Sequence, residues 1–180
     1  MPQSTDSPEN QLASFFAKYS PEIATLARAI RREMRHRYPT ALELVYDNYN
    51  ALAIGYSPSE RASEGIFSIA LYPRWVSLFF LQAKGLPDPH NKLQGNGNVV
   101  RHIVLPSPKT LDEPDVCALM QGAAARAAVP FDPGGSHRLI IKSISAEQRP
   151  RRPPESANAS SPSKRKLPHI SLNPPSPRLH

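Results

Sequence analysis

The chain has 180 residues, of which 21 are proline and one is cysteine, and its 22 lysines and arginines outnumber its 15 aspartates and glutamates. A single cysteine excludes an intramolecular disulfide, which agrees with a reducing compartment. The longest apolar runs fall far short of the roughly 20 residues that span a membrane, and residues 1–11 lack the apolar core of a signal peptide. We therefore expect a cytoplasmic protein with no membrane partner.

Proline and positive charge are concentrated at the C-terminal end. Residues 146–180 contain eight prolines and seven basic residues against two acids, and they contain no aromatic residue. Such a segment buries too little apolar surface to offset the entropy of ordering it. We therefore predict a disordered, basic, proline-rich tail over 146–180. The basic character of the whole chain does not by itself indicate nucleic-acid binding.

Two helices are predicted after a flexible N-terminal arm, residues 1–10. A one-sided apolar stripe from Leu12 to Tyr19 has the i, i+3, i+4, i+7 spacing of an amphipathic helix. A second helix begins at Ser20, because serine caps a helix and the following proline suits its first turn, and it ends before Pro39. Its arginine-rich face is typical of a solvated helix surface, with a phosphate-binding face as the alternative. This face carries Arg28, Arg31, Arg32 and Arg35.

Segments typical of strands follow. "LELVYD", "NALAIGYS", "GIFSIALYP", "VSLFFLQ" and, after the irregular segment 83–98, "VVRHIVL" are rich in β-branched and aromatic residues and are separated by turn residues. A third helix is predicted over Asp112–Ala128, with Asp112 as its cap, and a last strand over 137–145. Short connections favour antiparallel neighbours. The order α-α-β-β-β-β-β-α-β predicts one α+β domain over 11–145, a two-layer sandwich in which helices back a mostly antiparallel sheet.

Four long blocks of the chain resemble a known family. They are "FFAKYSPE", "ELVYDNYNALAIGYSPSERASEGIFSIALYPRWVSLFFLQ", "GNGNVVRHIVL" and "LIIKSISAEQRPRR", and together they are similar to the YdhG-like domain family, a domain of unknown function. The resemblance covers about residues 12–150 and implies a sheet backed by helices on one face, similar in outline to frataxin. A more distant bacterial branch has been discussed as a frataxin-like iron chaperone. Family members often have Met-Pro where this chain has Asp47-Asn48, and the family brings no catalytic residues.

The sequence shows no motif for a metal site or for covalent catalysis. Its six histidines are not paired at i, i+3 or i+4, and no Cys-x-x-Cys occurs. Cys117 lies beside the predicted buried stripe of the third helix, which is the position of a structural thiol. The glycine-rich loop 94–98 leads into a strand and lacks the Gly-Lys-Ser/Thr ending of a P-loop. We expect no metal and no cofactor.

The stretch "YDNYN" (46–50) separates two predicted strands. Asp-Asn is turn-prone, and tyrosines beside acid and amide groups are typical of small-ligand pockets. "YPRW" (72–75) repeats this chemistry at another strand end, with an arginine that could bind a carboxylate. Because hairpins place strand ends side by side, we predict a sheet-end cleft in which Arg74 faces Asp47 or a bound anion; a purely structural turn is the alternative. The candidate lining is Tyr46, Asp47, Asn48, Tyr49, Tyr72, Arg74 and Trp75, with Arg101, His102 and Lys142 as further candidates.

These patterns predict a non-enzymatic binding module that takes a small polar ligand or a peptide in this cleft. A frataxin-like iron chaperone is one alternative, although an arginine-rich helix repels cations. A nucleic-acid-associated protein that uses the basic helix and the tail is another. An enzyme would require a polar pair with perturbed pKa values in the cleft.

Overall fold

The computed structural model describes residues 6–155. The elements follow one another in the predicted order, with two short 3-10 helices added. The helices are α1 (Pro8–Ala17), α2 (Pro21–Arg37) and α3 (Pro114–Ala125), and the 3-10 helices are Ala62–Glu64 and Pro108–Asp112. The strands are β1 (Leu42–Asp47), β2 (Leu52–Ser57), β3 (Phe67–Leu71), β4 (Val76–Phe80), β5 (Arg101–Val104) and β6 (Leu139–Ile144). Across the described part of the chain, no helix is both long and apolar enough to cross a membrane.

The six strands form one sheet in the order β5-β4-β3-β2-β1-β6. Strands β1 to β5 pair with their chain neighbours in antiparallel fashion, and β6 alone runs parallel to its partner β1. The core lies between the sheet and the helices, where Ile54, Ile69 and Leu78 of the central strands share one buried cluster with Ile30 of α2 and Leu119 of α3. The predicted α+β sandwich with a mostly antiparallel sheet is therefore confirmed.

Serine caps and first-turn prolines begin the first two helices. The hydroxyl of Ser7 accepts a hydrogen bond from the backbone N–H of Asn10, and that of Ser20 accepts one from Ile23. Helix α1 therefore begins at Pro8, inside the segment predicted as a flexible arm over residues 1–10. Residues 1–5 of that arm lie outside the described part of the chain.

Helix α3 is shorter than the sequence pattern predicts. The predicted cap, Asp112, ends a 3-10 helix instead, and its carboxylate pairs with Arg37. Pro114 explains the break, because proline disfavours helical backbone at the residue before it, and Glu113 has extended φ and ψ of −60° and 133°. The α-helix starts at Pro114 and ends at Ala125, not at Ala128.

The segment 146–155 departs from the prediction of a disordered tail that begins at residue 146. The backbone N–H of Arg149 donates to the Tyr49 carbonyl at 2.9 Å, and the Arg151 side chain is buried against the domain. The segment is held by charge and hydrogen bonding, whereas the prediction weighed only its small apolar surface. The rest of the predicted tail, 156–180, lies outside the described residues.

Candidate functional site

The two stretches singled out in the sequence are the turns of neighbouring hairpins. In the β1–β2 turn, Asn48 N–H donates to the Ala51 carbonyl at 3.0 Å, and in the β3–β4 turn Tyr72 N–H donates to the Trp75 carbonyl at 2.9 Å. Because β2 and β3 are adjacent and antiparallel, both turns lie at the same end of the sheet. The polar residues of "YDNYN" thus interrupt the strands because they form the hairpin turn.

A cavity of about 640 Å³ lies beside these turns, and we call it the sheet-end cleft. One wall is the β3–β4 turn together with Asn50, and the other belongs to residues 148–154, which we call the C-terminal strap. Four prolines contribute to the lining, and proline keeps the backbone of such a wall in few conformations. The complete lining is Asn50, Tyr72, Pro73, Arg74, Trp75, Arg149, Pro150, Arg152, Pro153 and Pro154.

The aromatic part of the cleft is a stacked pair. The rings of Tyr72 and Trp75 lie 4.9 Å apart at an interplanar angle of 22°. Trp75 nevertheless stays 44% exposed, one of the most exposed large apolar residues in the described chain. Burial raises the pKa of the Tyr72 hydroxyl above its usual value, so this ring is neutral at physiological pH. The pair offers a rigid apolar surface that a flat ligand could cover.

The charged part of the cleft is entirely cationic. Arg74, Arg149 and Arg152 line it, and no acidic residue does. Arg152 donates to the carbonyls of Ala17 and Lys18 at 3.2 and 3.3 Å, and the Arg149 guanidinium lies 5.5 Å from the centre of the Tyr49 ring. The Arg74 side chain forms no hydrogen bond or ion pair with any residue of 6–155. An anionic group is therefore the ligand that this lining favours.

A second, shallower cavity of about 560 Å³ adjoins the cleft, and we call it the sheet-face hollow. It shares Asn50 and Tyr72 with the cleft, and Tyr49 lines its rim. Its floor is the face of the sheet opposite the α2-side core, where small side chains predominate. The floor includes Ala53, Ser68, Ala70 and Phe79.

A buried ion pair holds the C-terminal strap in place. Asp47 is fully buried, and its carboxylate accepts from Lys18 Nζ at 2.6 Å and from Arg151 Nη2 at 2.9 Å. The same Arg151 nitrogen donates to the Asn48 carbonyl, and Gln148 Nε2 donates to the Asp47 carbonyl at 3.3 Å. A buried carboxylate requires compensation by partners of this kind. We call Asp47, Lys18 and Arg151 the strap anchor.

Tyr19 packs against Arg151 of the strap anchor. Its hydroxyl donates to the Leu71 carbonyl at 3.0 Å and accepts from the Leu52 N–H at 2.9 Å, which ties the ends of β2 and β3 to the turn between α1 and α2. The Arg151 guanidinium lies 5.7 Å from the centre of the Tyr19 ring. Burial raises the pKa of Tyr19 to about 12. The hydroxyl therefore stays protonated and can make both hydrogen bonds.

The predicted site residues are only partly brought together. Five of them line the two adjoining cavities: Tyr72, Arg74 and Trp75 line the cleft, and Asn48 and Tyr49 line the hollow. Asp47 and Tyr46 line neither cavity. Asp47 shares the helix-facing side of β1 with Val45, so its carboxylate points into the core, and adjacent Tyr46 alternates to the opposite side. Arg74 consequently does not face Asp47, and the prediction that Tyr46, Asp47, Tyr49 and Arg74 line one pocket is wrong.

The three further candidates contact other parts of the domain, although His102 packs on Phe79 of the hollow floor. Arg101 donates to the carbonyls of Leu93 and Gln94 at 2.6 and 3.2 Å. The His102 ring stacks on Phe79 with their centroids 5.1 Å apart. Lys142 on β6 donates to the Glu60 carbonyl at 3.2 Å. None of the three lines the cleft or the hollow.

Half of the cleft lining comes from residues that the sequence pattern assigned to the tail. Arg149, Pro150, Arg152, Pro153 and Pro154 form the strap side of the cleft. The sequence pattern did not mark them, because the core-facing position of Asp47, which requires a cationic partner, is seen only in the structure.

Metal-ligating side chains are not clustered within residues 6–155: no group of three or more His, Cys, Asp and Glu is placed to hold a metal ion. Comparisons of the chain with family models, with curated proteins and with solved structures find no match. The resemblance to the YdhG-like family therefore stays a prediction.

Proposed function

We propose that this protein is a binding module whose sheet-end cleft takes an anionic ligand with a flat ring. The observation that carries the proposal is the cleft lining, in which three arginines and a stacked Tyr72–Trp75 pair surround one cavity that no acidic residue enters. A small polar ligand and a short acidic peptide are both compatible with this lining.

Size and chemistry both support a small ligand. The cleft volume of about 640 Å³ falls within the range of about 300–1,000 Å³ that is usual for small-molecule sites. A guanidinium group matches the geometry of a carboxylate or phosphate and binds it with two parallel hydrogen bonds. The exposed face of Trp75 supplies area for ring stacking. Arg74 is therefore the proposed anion clamp.

The proposal covers binding and includes no reaction. The cleft lining contains arginine, tyrosine, tryptophan, proline and asparagine, and among these described residues there is no carboxylate, imidazole or thiol to move a proton at neutral pH. The strap anchor contains one carboxylate and two cations, but its carboxylate is buried and lines neither cavity. We therefore assign the anchor a positioning role.

Fluorescence tests the proposal directly, because Trp75 is the single tryptophan of the chain. The full chain is titrated with matched pairs of compounds, an aromatic carboxylate against its amide and a nucleoside monophosphate against its nucleoside. We expect saturable changes in Trp75 emission with at least one anion and much weaker changes with its uncharged partner. Equal responses to both members of every pair, or no response to any of them, would contradict the proposal.

A further inference from the structure

Helix α2 carries a small groove that is separate from the sheet-end cleft. Four arginines at i, i+3, i+4 and i+7 lie on one face of the helix. They enclose about 280 Å³, and no other described residue lines this space. We call it the arginine groove; its residues are Arg28, Arg31, Arg32 and Arg35.

Two carboxylates hold one of these arginines, Arg31, in place. Arg31 donates from Nε and Nη2 to the two carboxylate oxygens of Glu43, at 2.9 and 2.6 Å. It also donates from Nη1 and Nη2 to Glu9 at 3.0 and 2.8 Å. Glu43 is completely buried and also contacts His137 Nε2 at 3.0 Å. The hydrogen bond from Arg31 lowers the pKa of Glu9. Arg31 is thus a rigid, charge-compensated floor for the groove.

The other three arginines are not compensated in this way. Arg28 lies over the Phe16 ring, 5.2 Å from its centroid, and Arg35 reaches only one Glu9 oxygen, at 3.8 Å. Arg32 is exposed and forms no side-chain hydrogen bond or ion pair with any other residue of 6–155. Four guanidinium charges therefore face two carboxylates, and both carboxylates are bound to Arg31.

Such an arrangement has a free-energy cost without a ligand. Like charges at i and i+4 on a helix repel each other and destabilise the helix. Arg28 and Arg32 are such a pair, and neither has a carboxylate partner within residues 6–155. A doubly negative group in the groove would compensate the two remaining positive charges and remove the repulsion.

We propose that the arginine groove binds the phosphate group of a small phosphate compound. Phosphate carries a charge of about −1.5 to −2 at neutral pH and has oxygens that match the guanidinium fork. The groove spans two helical turns and has room for one phosphate with a small organic group, so it favours a free phosphate ester over a polymer. Because the site is open to solvent, binding weakens as salt screens the charges.

The full chain is titrated with inorganic phosphate at low ionic strength, and binding is monitored by 31P NMR. We expect saturable binding that Arg32→Gln weakens tenfold or more. Arg32 has no partner among residues 6–155, so the variant should keep its thermal midpoint. Arg61→Gln is the charge-matched control, since the Arg61 side chain is 80% exposed and within residues 6–155 pairs only with Glu64; it should bind phosphate like the wild type. Arg74→Gln removes the proposed anion clamp of the cleft and should also retain phosphate binding, which separates this groove from the cleft.

Three results would overturn the proposal. The first is binding that does not saturate, and the second is an equal loss in Arg32→Gln and Arg61→Gln, which would indicate a general effect of net charge. The third comes from a second arm with a single-stranded DNA of ten nucleotides. If Arg32→Gln weakens DNA binding and inorganic phosphate does not bind, the surface recognises a nucleic acid and not a small phosphate compound.

Discussion

Replacing Asp47 by asparagine removes the negative charge of the strap anchor with almost no change in shape. The carboxylate is fully buried and compensates Lys18 at 2.6 Å and Arg151 at 2.9 Å. Asparagine can still accept a hydrogen bond, but it leaves both cations without a counter-charge. The strap should therefore lose most of the interaction that holds it against the domain.

The two cations differ in how much they lose. The Lys18 side chain is 38% exposed and can be rehydrated. The loss of its ion pair should therefore cost as much as the loss of a surface ion pair, about 0–1 kcal/mol. The Arg151 side chain is only 3% exposed, and removing the partner of a buried charge costs about 3–5 kcal/mol. Undocking of the strap would return Arg151 to water and limit the loss. We therefore expect about 3 kcal/mol, the lower end of that range.

Thermal and urea unfolding of the full chain measure this loss. For a domain of this size each kcal/mol shifts the midpoint by about 2–4 °C, so Asp47→Asn should unfold about 6–12 °C below the wild type. Lys18→Gln is the matched control from the exposed side of the anchor and should lose no more than about 1 kcal/mol. If Asp47→Asn unfolds within about 1 °C of the wild type, or if Lys18→Gln loses as much, the strap anchor does not have the role described.

Further predictions concern the strap, Tyr19 and the buried phenols. A chain that ends at residue 145 should unfold at a lower temperature than one that ends at residue 155, because only the longer chain supplies Arg151 to Asp47; equal midpoints would contradict this. Tyr19→Phe leaves the buried Leu52 N–H without its acceptor and should cost about 1–3 kcal/mol in urea unfolding, and a loss below about 0.5 kcal/mol would show that water replaces the hydroxyl. Burial raises the pKa values of Tyr19 and Tyr38 to about 12, above the ordinary value of 10 in the unfolded chain, so the unfolded state releases these protons first. The contribution of these two phenols to stability should accordingly be constant below pH 10 and be lost between pH 10 and 12, and a free energy of unfolding that is unchanged across this interval would refute the assignment.

The order of the elements could be predicted because local sequence signals mark where the elements begin and end. Serine caps and first-turn prolines at Ser7-Pro8 and Ser20-Pro21 begin the helices. Turn residues join strands β1 to β4 through connections short enough that consecutive strands pair as antiparallel neighbours. The error at α3 had a local cause too, since Pro114 prevents helical backbone at the residue before it.

Only half of the cleft lining could be predicted from the sequence, and strand β1 shows the reason. In "LELVYD" the alternation suggests a buried Leu42–Leu44–Tyr46 face and an exposed face that carries the acids. The structure places the acids inward: Glu43 and Asp47 are fully buried, and each pairs with a guanidinium from outside the sheet, Arg31 of α2 and Arg151 of the strap. A pattern that repeats every two residues cannot reveal the inward position of the acids, because the cations that compensate them come from other elements of the fold.

The strap was missed for the same physical reason. Composition measures how much apolar surface a segment can bury, and residues 148–154 have little. Their order instead depends on one buried cation, Arg151, whose partner lies 104 positions earlier in the sequence. Once the strap is placed, the cleft gains Arg149, Arg152 and three prolines, and its lining becomes cationic.

The proposed function depends most directly on Arg74, which lines the cleft and has no partner among residues 6–155. The decisive measurement is calorimetric titration of the wild type, Arg74→Gln and Arg61→Gln with the planar anion that changes Trp75 emission most. A charge-assisted hydrogen bond is worth about 1.5–3 kcal/mol, so Arg74→Gln should bind at least tenfold more weakly, and the surface control Arg61→Gln should bind like the wild type. Equal affinity of the wild type and Arg74→Gln would contradict the assignment of the sheet-end cleft as an anion-binding site.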